Sequence, residues 1–209
     1  MATKRAERQP PQDSETARQL VAATAALMRE RDTLDISFVD IAERAKLPQG
    51  LISYYFGNKE GLLYAILKTS LGNALVKLDA LARSDRDPAE KMRLHLQGVV
   101  TAYFQTPFLN RLLQTFTRNA SAERVALITD TLVRPVIKAQ GRIIDEGVAQ
   151  GLFKPVDKML FYFAVVGAAD GLHASQFILN AVFDQEITAD LHKRNAAAIA
   201  DIFMRGLLL

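Results

Sequence analysis

The feature that most constrains this chain is the run Ser37 to Phe56, which predicts two short helices joined by a tight turn. Ser37 suits a helix N-cap because its hydroxyl can accept a hydrogen bond from an otherwise unpaired backbone N–H. Ile41 and Ala45 then recur at helical spacing on one inward face. Pro48 interrupts this helix because it has no N–H, yet it suits the first turn of a new one. The second helix is therefore predicted to begin at about Pro48.

The second helix is predicted to have a polar outward side. If Ile52 and Phe56 point inward, the helical period leaves other side chains facing solvent, as a major-groove recognition helix requires. The outward residues are Gln49, Gly50, Ser53 and Tyr54. The alternative is a short surface helix whose tyrosines cover neighbouring apolar groups. The turn and the polar face together favour a DNA-reading helix-turn-helix.

The order of residues in this region resembles the N-terminal DNA-binding domain of the TetR family of bacterial transcriptional regulators. The resemblance extends from about Ser14 to Leu67 and rests on three segments, 41–45, 50–56 and 58–63. It implies that the chain binds operator DNA. The residues implied to face the operator are Gln49, Gly50, Leu51, Ser53 and Tyr54. Those implied to hold the phosphate backbone are Ser37, Tyr55 and Lys59.

The chain departs from the family pattern at three positions. The family usually has glycine where Lys46 stands, a small hydroxyl residue where Pro48 stands, and often tyrosine where Ser53 stands. Lys46 is either an added phosphate contact or a solvated side chain. Ser53 shortens the reach at its position, so Tyr54 is expected to carry more of the DNA contact. The recognition helix also resembles that of the choline-responsive betaine repressors, a hint limited to this helix.

Composition permits this interpretation and narrows the alternatives. A chain of 209 residues with 49% hydrophobic content can bury a substantial core. Cysteine is absent, which excludes disulfides and thiolate chemistry and suits a reducing cytoplasm. The polar N-terminus lacks the apolar stretch of a signal peptide, and the apolar run Met159 to Ala169 is too short for a membrane span. We expect a cytoplasmic protein with no membrane partner.

Almost every segment is predicted to be helical, which gives an all-α fold with an N-terminal three-helix domain and a C-terminal helical domain. The predicted divisions are a disordered arm at 1–12, a DNA-binding domain at 13–67 and a ligand-binding and dimerisation domain at 68–209. Asp13 or Ser14 caps the first helix. The later helices are predicted at 58–81, 89–105, 108–119, 122–150, 157–176 and 188–206. Pro135 predicts a kink near 131–133, and a loop is predicted around Asn180, Asp184 and Glu186.

Two of the predicted helices favour self-association. Gly167, Gly171 and Ser175 form a strip of small residues at intervals of four, which permits close approach of another helix. The final helix places Ile199, Ile202 and Phe203 at similar spacing. A monomer could bury both strips in its own core. The resemblance implies instead a homodimer built on a four-helix bundle, with two helices from each subunit.

The C-terminal region contains the candidates for ligand binding. By resemblance, its helices surround an internal cavity for a small, largely apolar effector. Aromatic residues and isolated polar residues in these helices are candidates because an unpaired buried polar group is costly. The candidate ligand-binding residues are His95, Phe104, Phe116, Arg118, Asn119, Tyr162, Asp170, His173 and Phe177. The alternative for each residue is an ordinary place in the core.

Metal and enzyme chemistry have little support in the sequence. Asp170 and His173 share a helix face, but one pair is not a full ligand set, so no metal and no cofactor are predicted. No nucleophile elbow or phosphate-binding glycine loop occurs, and we expect a protein that is not an enzyme. The sequence therefore predicts a homodimeric repressor released from a palindromic operator by a small ligand. The alternatives are a helical enzyme and a protein-interaction module.

Overall fold

The computed structural model describes residues 14–118 and 120–209, so the predicted N-terminal arm, Asp13 and Asn119 lie outside the described residues. The described residues form eleven α-helices and one π-helical segment, which confirms the all-α prediction. In chain order they are α1 (Glu15–Arg31), α2 (Phe38–Ala45), α3 (Gly50–Phe56), α4 (Lys59–Arg83), α5 (Pro88–Gln105), α6 (Leu109–Thr117), α7 (Ala122–Ile128), the π segment (Thr129–Val133), α8 (Arg134–Ala149), α9 (Lys158–Ala174), α10 (Gln176–Phe183) and α11 (Ala189–Leu207).

Side-chain caps fix several helix starts at the predicted residues. Ser14 accepts from the backbone N–H of Ala17, and Ser37 accepts from that of Asp40. Asp157 caps α9, and Thr188 caps α11. Each cap satisfies one of the backbone N–H groups that the first turn of a helix leaves unpaired.

Contacts separate the described residues into two compact units, one ending at Thr69 and the other beginning at Ser70. The first unit contains α1 to α3 and the beginning of α4. Its core residues include Leu20, Leu27, Ile41, Ile52, Phe56, Leu62 and Ile66. The side-chain amide of Gln19 donates to the backbone oxygen of Ala45 at 2.9 Å, which ties α1 to the end of α2.

The second unit is organised around α5, which packs against α8, α9 and α11. Its core includes Met92, Leu96, Ile143, Val165 and Met204. Two polar pairs also join α5 to α8. Buried Lys91 lies 2.8 and 3.0 Å from the carboxylate oxygens of Glu146, and His95 Nε2 lies 3.1 Å from Gln140 Oε1. These pairs satisfy polar groups that would otherwise be costly to bury.

Pro135 breaks the long predicted helix as expected, and the break takes the form of the π segment Thr129–Val133. Pro135 has no N–H for a bond to the preceding turn, and its ring crowds that turn. The N–H of Arg134 instead reaches the carbonyl of Thr129, five residues earlier. The extra residue per turn accommodates the proline without ending the helical path.

The predicted loop around Asn180 is wrong in its first part. Asn180 lies inside α10, and the chain leaves the helix at Asp184, whose φ is 49°. Asn180 suggested a turn because asparagine is common in turns. Its apolar neighbours, including Ile178 and Val182, instead continue a helical pattern. No described helix is both long enough and apolar enough to cross a bilayer.

Candidate nucleic-acid interface and effector cavity

The recognition helix α3 has the inward and outward sides that its sequence predicts. Ile52 and Phe56 are buried in the core of the first unit, whereas Gln49, Gly50, Ser53 and Tyr54 are exposed. The helix begins at Gly50 rather than at Pro48. The N–H groups of Leu51 and Ile52 bond three residues back, to Pro48 and Gln49, so the first turn is tighter than an α-helix.

The aromatic residues at the end of α3 support one another. The side chain of Tyr54 is exposed, at 59%, and its ring meets that of Tyr55 edge-on at 5.1 Å between centroids. Tyr55 in turn contacts buried Phe56 at 6.3 Å. This chain of ring contacts restricts the orientation of Tyr54 at the surface, so little freedom is lost when it meets a partner.

Lys46 occupies the turn in a left-handed conformation, with φ of 54°. The N–H of Lys46 bonds to Glu43 O and that of Leu47 to Ala42 O, a Schellman arrangement that ends α2. Glycine adopts this conformation with least strain, which explains the usual family residue at this position. The side chain of Lys46 is exposed and forms no ion pair within the described residues.

Ser37 and Lys59, the other two implied phosphate contacts outside α3, already have partners in the protein. The hydroxyl of Ser37 accepts from the Asp40 N–H and donates to the Asp40 carboxylate. Hydrogen bonds from Arg31 and Ser37 lower the pKa of Asp40 to about 2. Lys59 Nζ lies 2.6 Å from Asp35 Oδ1. Such an exposed ion pair contributes only about 0–1 kcal/mol, so separating Lys59 from Asp35 costs little.

Gly61, in the first turn of α4, is a functional candidate that sequence reasoning did not select. A Cβ atom at this position would lie 2.0 Å from the backbone oxygen of Phe56, the last residue of α3. The backbone N–H of Gly61 also donates to Asn58 Oδ1 at 2.9 Å, which restrains Gly61 in the first turn of α4. Glycine therefore permits the close approach that sets α3 against the start of α4.

The second unit contains a cavity of about 430 Å³. Its walls come from α4, α5, α6, α9, the π segment and the start of α8, and most lining side chains are apolar. They include Leu71, Leu75, Leu78, Val99, Leu109, Leu113, Leu132, Val136 and Val166. Leu94 and Gly98 both line the cavity and are exposed, so they lie at its opening. The volume and lining are typical of small-molecule sites.

The uncharged polar side chains of the cavity wall include His95, Tyr103 and Tyr162, together with Ser70, Thr101 and Gln105. His95 and Tyr103 are contributed by α5, and Tyr162 by α9. Burial lowers the pKa of His95 despite its bond to Gln140, which favours neutral imidazole. Burial, then the charge of Asp170 and the neighbouring Tyr162, raise the pKa of Tyr103. Burial also raises the pKa of Tyr162, so both phenols remain protonated at neutral pH.

The structure brings only two of the predicted ligand residues, His95 and Tyr162, into the wall of the large cavity. Phe104 stacks on His192 at 4.2 Å and lies 6.3 Å from His173, around a separate small cavity. Asp170 accepts from Asn110 Nδ2 at 2.8 Å. Tyr103, which lies in the cavity wall, is not among the predicted ligand residues, because helical spacing alone does not decide which face of α5 lines the cavity.

Three more of the predicted ligand residues lie outside the lining of both cavities. Phe177 is 72% exposed, Arg118 is exposed, and Phe116 is buried outside the cavity lining. Phe177 lies on the outward, apolar side of α10. Its aromatic side chain suggested a buried site, so the sequence did not predict its exposure. Within residues 14–118 and 120–209 no three potential metal ligands come together, so Asp170 and His173 remain a single pair.

The predicted dimer residues divide between surface and core. Gly167 and Gly171 have open space where a Cβ would stand, and Ile202 is exposed. Ser175 is half-buried, and Phe203 packs edge-on against Phe161 at 5.5 Å. The prediction that Ile199 lies in the dimer interface is corrected, because Ile199 is 7% exposed and belongs to the interior of its own chain. The periodicity of α11 did not reveal which of its apolar residues face inward.

An exposed apolar face on α9 and α10 accompanies the open glycines. Its large side chains are Met159, Leu160, Phe163, Phe177, Ile178, Val182 and Phe183. Large apolar side chains exposed on neighbouring helices are typical of interaction surfaces. Sequence reasoning found the small-residue strip but not the larger apolar side chains around it.

Comparison with known proteins agrees with this geometry. The family model for bacterial regulatory proteins of the tetR family matches residues 20–66, and the model for the Tetracyclin repressor-like C-terminal domain matches residues 85–209. The fold and the exposed recognition helix define a helix-turn-helix DNA-binding protein. The chain belongs to the TetR family and is a DNA-binding transcriptional regulator.

The similar proteins include the HTH-type transcriptional regulator BetI of Serratia proteamaculans, 32% identical over 72% of this chain and 82% of that protein. A solved tetR-family regulatory protein from Rhodococcus RHA1 has a TM-score of 0.73 at 22% identity, over 93% of this chain and 97% of the other. The structure of AibR in complex with isovaleryl coenzyme A and operator DNA has a TM-score of 0.69 at 17% identity, over 90% and 97%. Both structural likenesses support the fold.

Proposed function

We propose that this protein is a homodimeric repressor that leaves a near-palindromic operator when a small, largely apolar ligand binds. The observation that carries the proposal is the exposed side of α3, with Tyr54 held outward beside buried Ile52 and Phe56. In this proposal residues 13–67 form the DNA-binding domain and residues 68–209 the ligand-binding and dimerisation domain, with the N-terminal arm preceding them.

Base contacts are assigned to Gln49, Gly50, Leu51, Ser53 and Tyr54, and phosphate contacts to Ser37, Lys46, Tyr55 and Lys59. The family membership supports this assignment, and so does the exposure of Gln49, Gly50, Ser53 and Tyr54. Two copies of the helix in a dimer would read half-sites whose centres lie about 34–36 Å apart, or a multiple of that distance.

The second unit is proposed to hold the effector in its cavity of about 430 Å³. The similar protein AibR is described with isovaleryl coenzyme A and operator DNA, which supports a regulator of this fold that binds both. The helix α4 lines this cavity through Leu71 and Leu78, and its first turn follows α3 in the chain. A ligand that prefers one arrangement of the cavity helices shifts the population toward it and so changes operator affinity.

The dimer surface is proposed to be the apolar face of α9 and α10 with Ile202 of α11. The open glycines Gly167 and Gly171 and the exposed side chains of Phe163 and Phe183 support it. Gly171→Leu should fill the space that a partner helix needs and give monomers in sedimentation velocity. A dimer of wild-type stability in Gly171→Leu, or a monomeric wild type, would refute this surface.

The DNA proposal is tested by footprinting and fluorescence anisotropy on the DNA upstream of the protein's own coding region. Tyr54→Ala should weaken specific binding at least about tenfold, or about 1.4 kcal/mol, with unchanged helicity and thermal stability. Tyr162→Phe is the matched control, since its hydroxyl lies in the second unit, and should bind the same operator normally. Unchanged operator affinity in Tyr54→Ala would mean that this side of α3 does not face DNA.

A salt titration separates this proposal from a protein-interaction module. Binding that neutralises several phosphates weakens steeply as salt rises, because condensed counterions are released. We expect a steep linear decrease of log affinity with log salt for the operator. A shallow dependence would favour a partner other than nucleic acid.

A further inference from the structure

Three polar atoms of the cavity wall lack partners within the described residues, namely His95 Nδ1 and the hydroxyl oxygens of Tyr103 and Tyr162. His95 bonds through Nε2 to Gln140, and neither Tyr103 nor Tyr162 has a hydrogen bond through its hydroxyl within the described residues. No buried side-chain nitrogen or oxygen atom in that part of the chain lacks a partner. The Nδ1 atom of buried His95 and the hydroxyl of buried Tyr103 are therefore accessible to a small molecule, and both residues line the cavity.

These polar atoms carry no charge. Burial keeps His95 neutral and both phenols protonated, by the pKa shifts given above. Among the described residues that line the cavity, Lys77 is the charged one, and its side chain lies on the exposed side of α4. The interior therefore offers neutral hydrogen bonds and no cation.

The wall between His95 and Tyr103 is mostly apolar, and the hydroxyl of Thr101 there donates to the backbone oxygen of Gln97. His95 and Tyr103 are two turns apart on α5, about 12 Å along the helix axis. Val99 and Gly98 lie between them, and a Cβ at Gly98 would meet no atom within 4 Å. The lining therefore extends about 12 Å along α5, with Tyr103 near one end of it.

We propose that the effector is an uncharged, elongated, mostly apolar molecule whose carbonyl oxygen accepts hydrogen bonds from Tyr103 and Tyr162. Ketones, esters, lactones and amides have this chemistry. The inference rests on the proposed function, in which this cavity is the effector site.

Charged ligands of equal length fit this cavity less well. Removing a carboxylate or an ammonium group from water is costly unless a counter-charge receives it. A carboxylate at the tyrosine pair would find no cation in the interior wall. An ammonium group would lack a lining carboxylate, and the phosphates of a coenzyme A thioester would find one exposed lysine, Lys77, at the wall.

Calorimetric titration of the full chain with four ten-carbon probes tests the proposal. The probes are 2-decanone, decanoate, decylammonium and decanoyl coenzyme A. We expect 2-decanone to bind at least about tenfold more tightly than each charged probe. Tyr103→Phe and Tyr162→Phe should each weaken 2-decanone binding about three- to tenfold, since each loses one hydrogen bond. Gly98→Leu should abolish it by filling the space, whereas Tyr64→Phe, in the first unit, should leave it unchanged.

Each other outcome overturns the proposal. Tighter binding of any charged probe would assign a charged effector, and unchanged affinity in both Phe variants would remove the tyrosines from the site. Failure of all four probes to bind below millimolar concentration would likewise refute it. Fluorescence anisotropy of the operator in the presence of each probe distinguishes failure of the ligand class from failure of the proposed function. Release by decanoate or decanoyl coenzyme A would preserve the proposed function and overturn the ligand class, whereas absence of operator binding would overturn the proposed function itself.

Discussion

The close approach of α3 and α4 at Gly61 predicts that a single methyl group will impair DNA binding from a position that does not face DNA. In Gly61→Ala the new Cβ would lie 2.0 Å from the carbonyl oxygen of Phe56 and 3.1 Å from its carbonyl carbon. An ordinary contact between carbon and oxygen is about 3.3 Å or longer. The end of the recognition helix must therefore move by about 1.3 Å relative to the first turn of α4.

The expected magnitude follows from two opposing effects. Overpacking costs about 1–3 kcal/mol, and backbone atoms cannot rotate away as a flexible side chain can. Replacing glycine by alanine in a helix returns about 0.5–1 kcal/mol. We therefore expect a net loss of up to about 2.5 kcal/mol in the free energy of unfolding. Operator affinity should fall by at least about tenfold, because the displaced helix carries four of the five proposed base contacts.

Two further glycines supply matched controls. Gly72 and Gly50 both have open space where the Cβ would stand. Gly72→Ala, in the middle of α4, should raise stability by about 0.5–1 kcal/mol and leave operator affinity unchanged. Gly50→Ala, on the outward side of α3, should retain stability and weaken operator binding. Urea unfolding followed by circular dichroism and operator anisotropy measure the two effects separately.

Wild-type stability and wild-type operator affinity in Gly61→Ala would refute this reasoning. Loss of stability with normal DNA binding would show instead that the shift is absorbed by α4 and does not reach the recognition helix.

Two further predictions concern the polar pairs between α5 and α8. Glu146→Gln should cost about 3–5 kcal/mol, because it leaves Lys91, whose side chain is 2% exposed, without its counter-charge. Lys91→Met should cost clearly less, because the Glu146 side chain is 33% exposed and stays solvated, and urea unfolding that ranks the two variants the other way would contradict this. The lowered pKa of His95 means that the unfolded chain binds the proton more readily, so stability should fall as pH drops below about 6.5 and level off below the lowered pKa. His95→Gln should reduce that pH dependence in urea titrations, and an identical dependence would assign it to other groups.

The effector proposals depend on side chains whose positions the sequence left open. His95, Phe104 and Phe177 looked alike as candidates, since each is an aromatic or polar residue in an apolar helix. The structure places them in the cavity wall, beside a second small cavity and on the surface, respectively. A residue pattern states that a side chain is apolar or aromatic, but several packing arrangements satisfy that pattern.

The sequence by itself determined the features that depend on neighbours along the chain. Ser14 and Ser37 cap their helices through hydrogen bonds to the backbone N–H three residues later, and Pro135 breaks its helix because it lacks an N–H. The two sides of α3 follow from the same local period, which is why its buried and exposed residues could be predicted.

Tertiary structure alone decided the features that depend on residues far apart in the chain. Only the packing of α11 shows that Ile199 is buried while Ile202 is exposed, although both suit an apolar strip. Only the packing of α5 against α9 brings Tyr103 and Tyr162 into one cavity. Helical periodicity fixes which residues share a face, whereas the partner of that face is fixed by shape and burial summed over the whole unit.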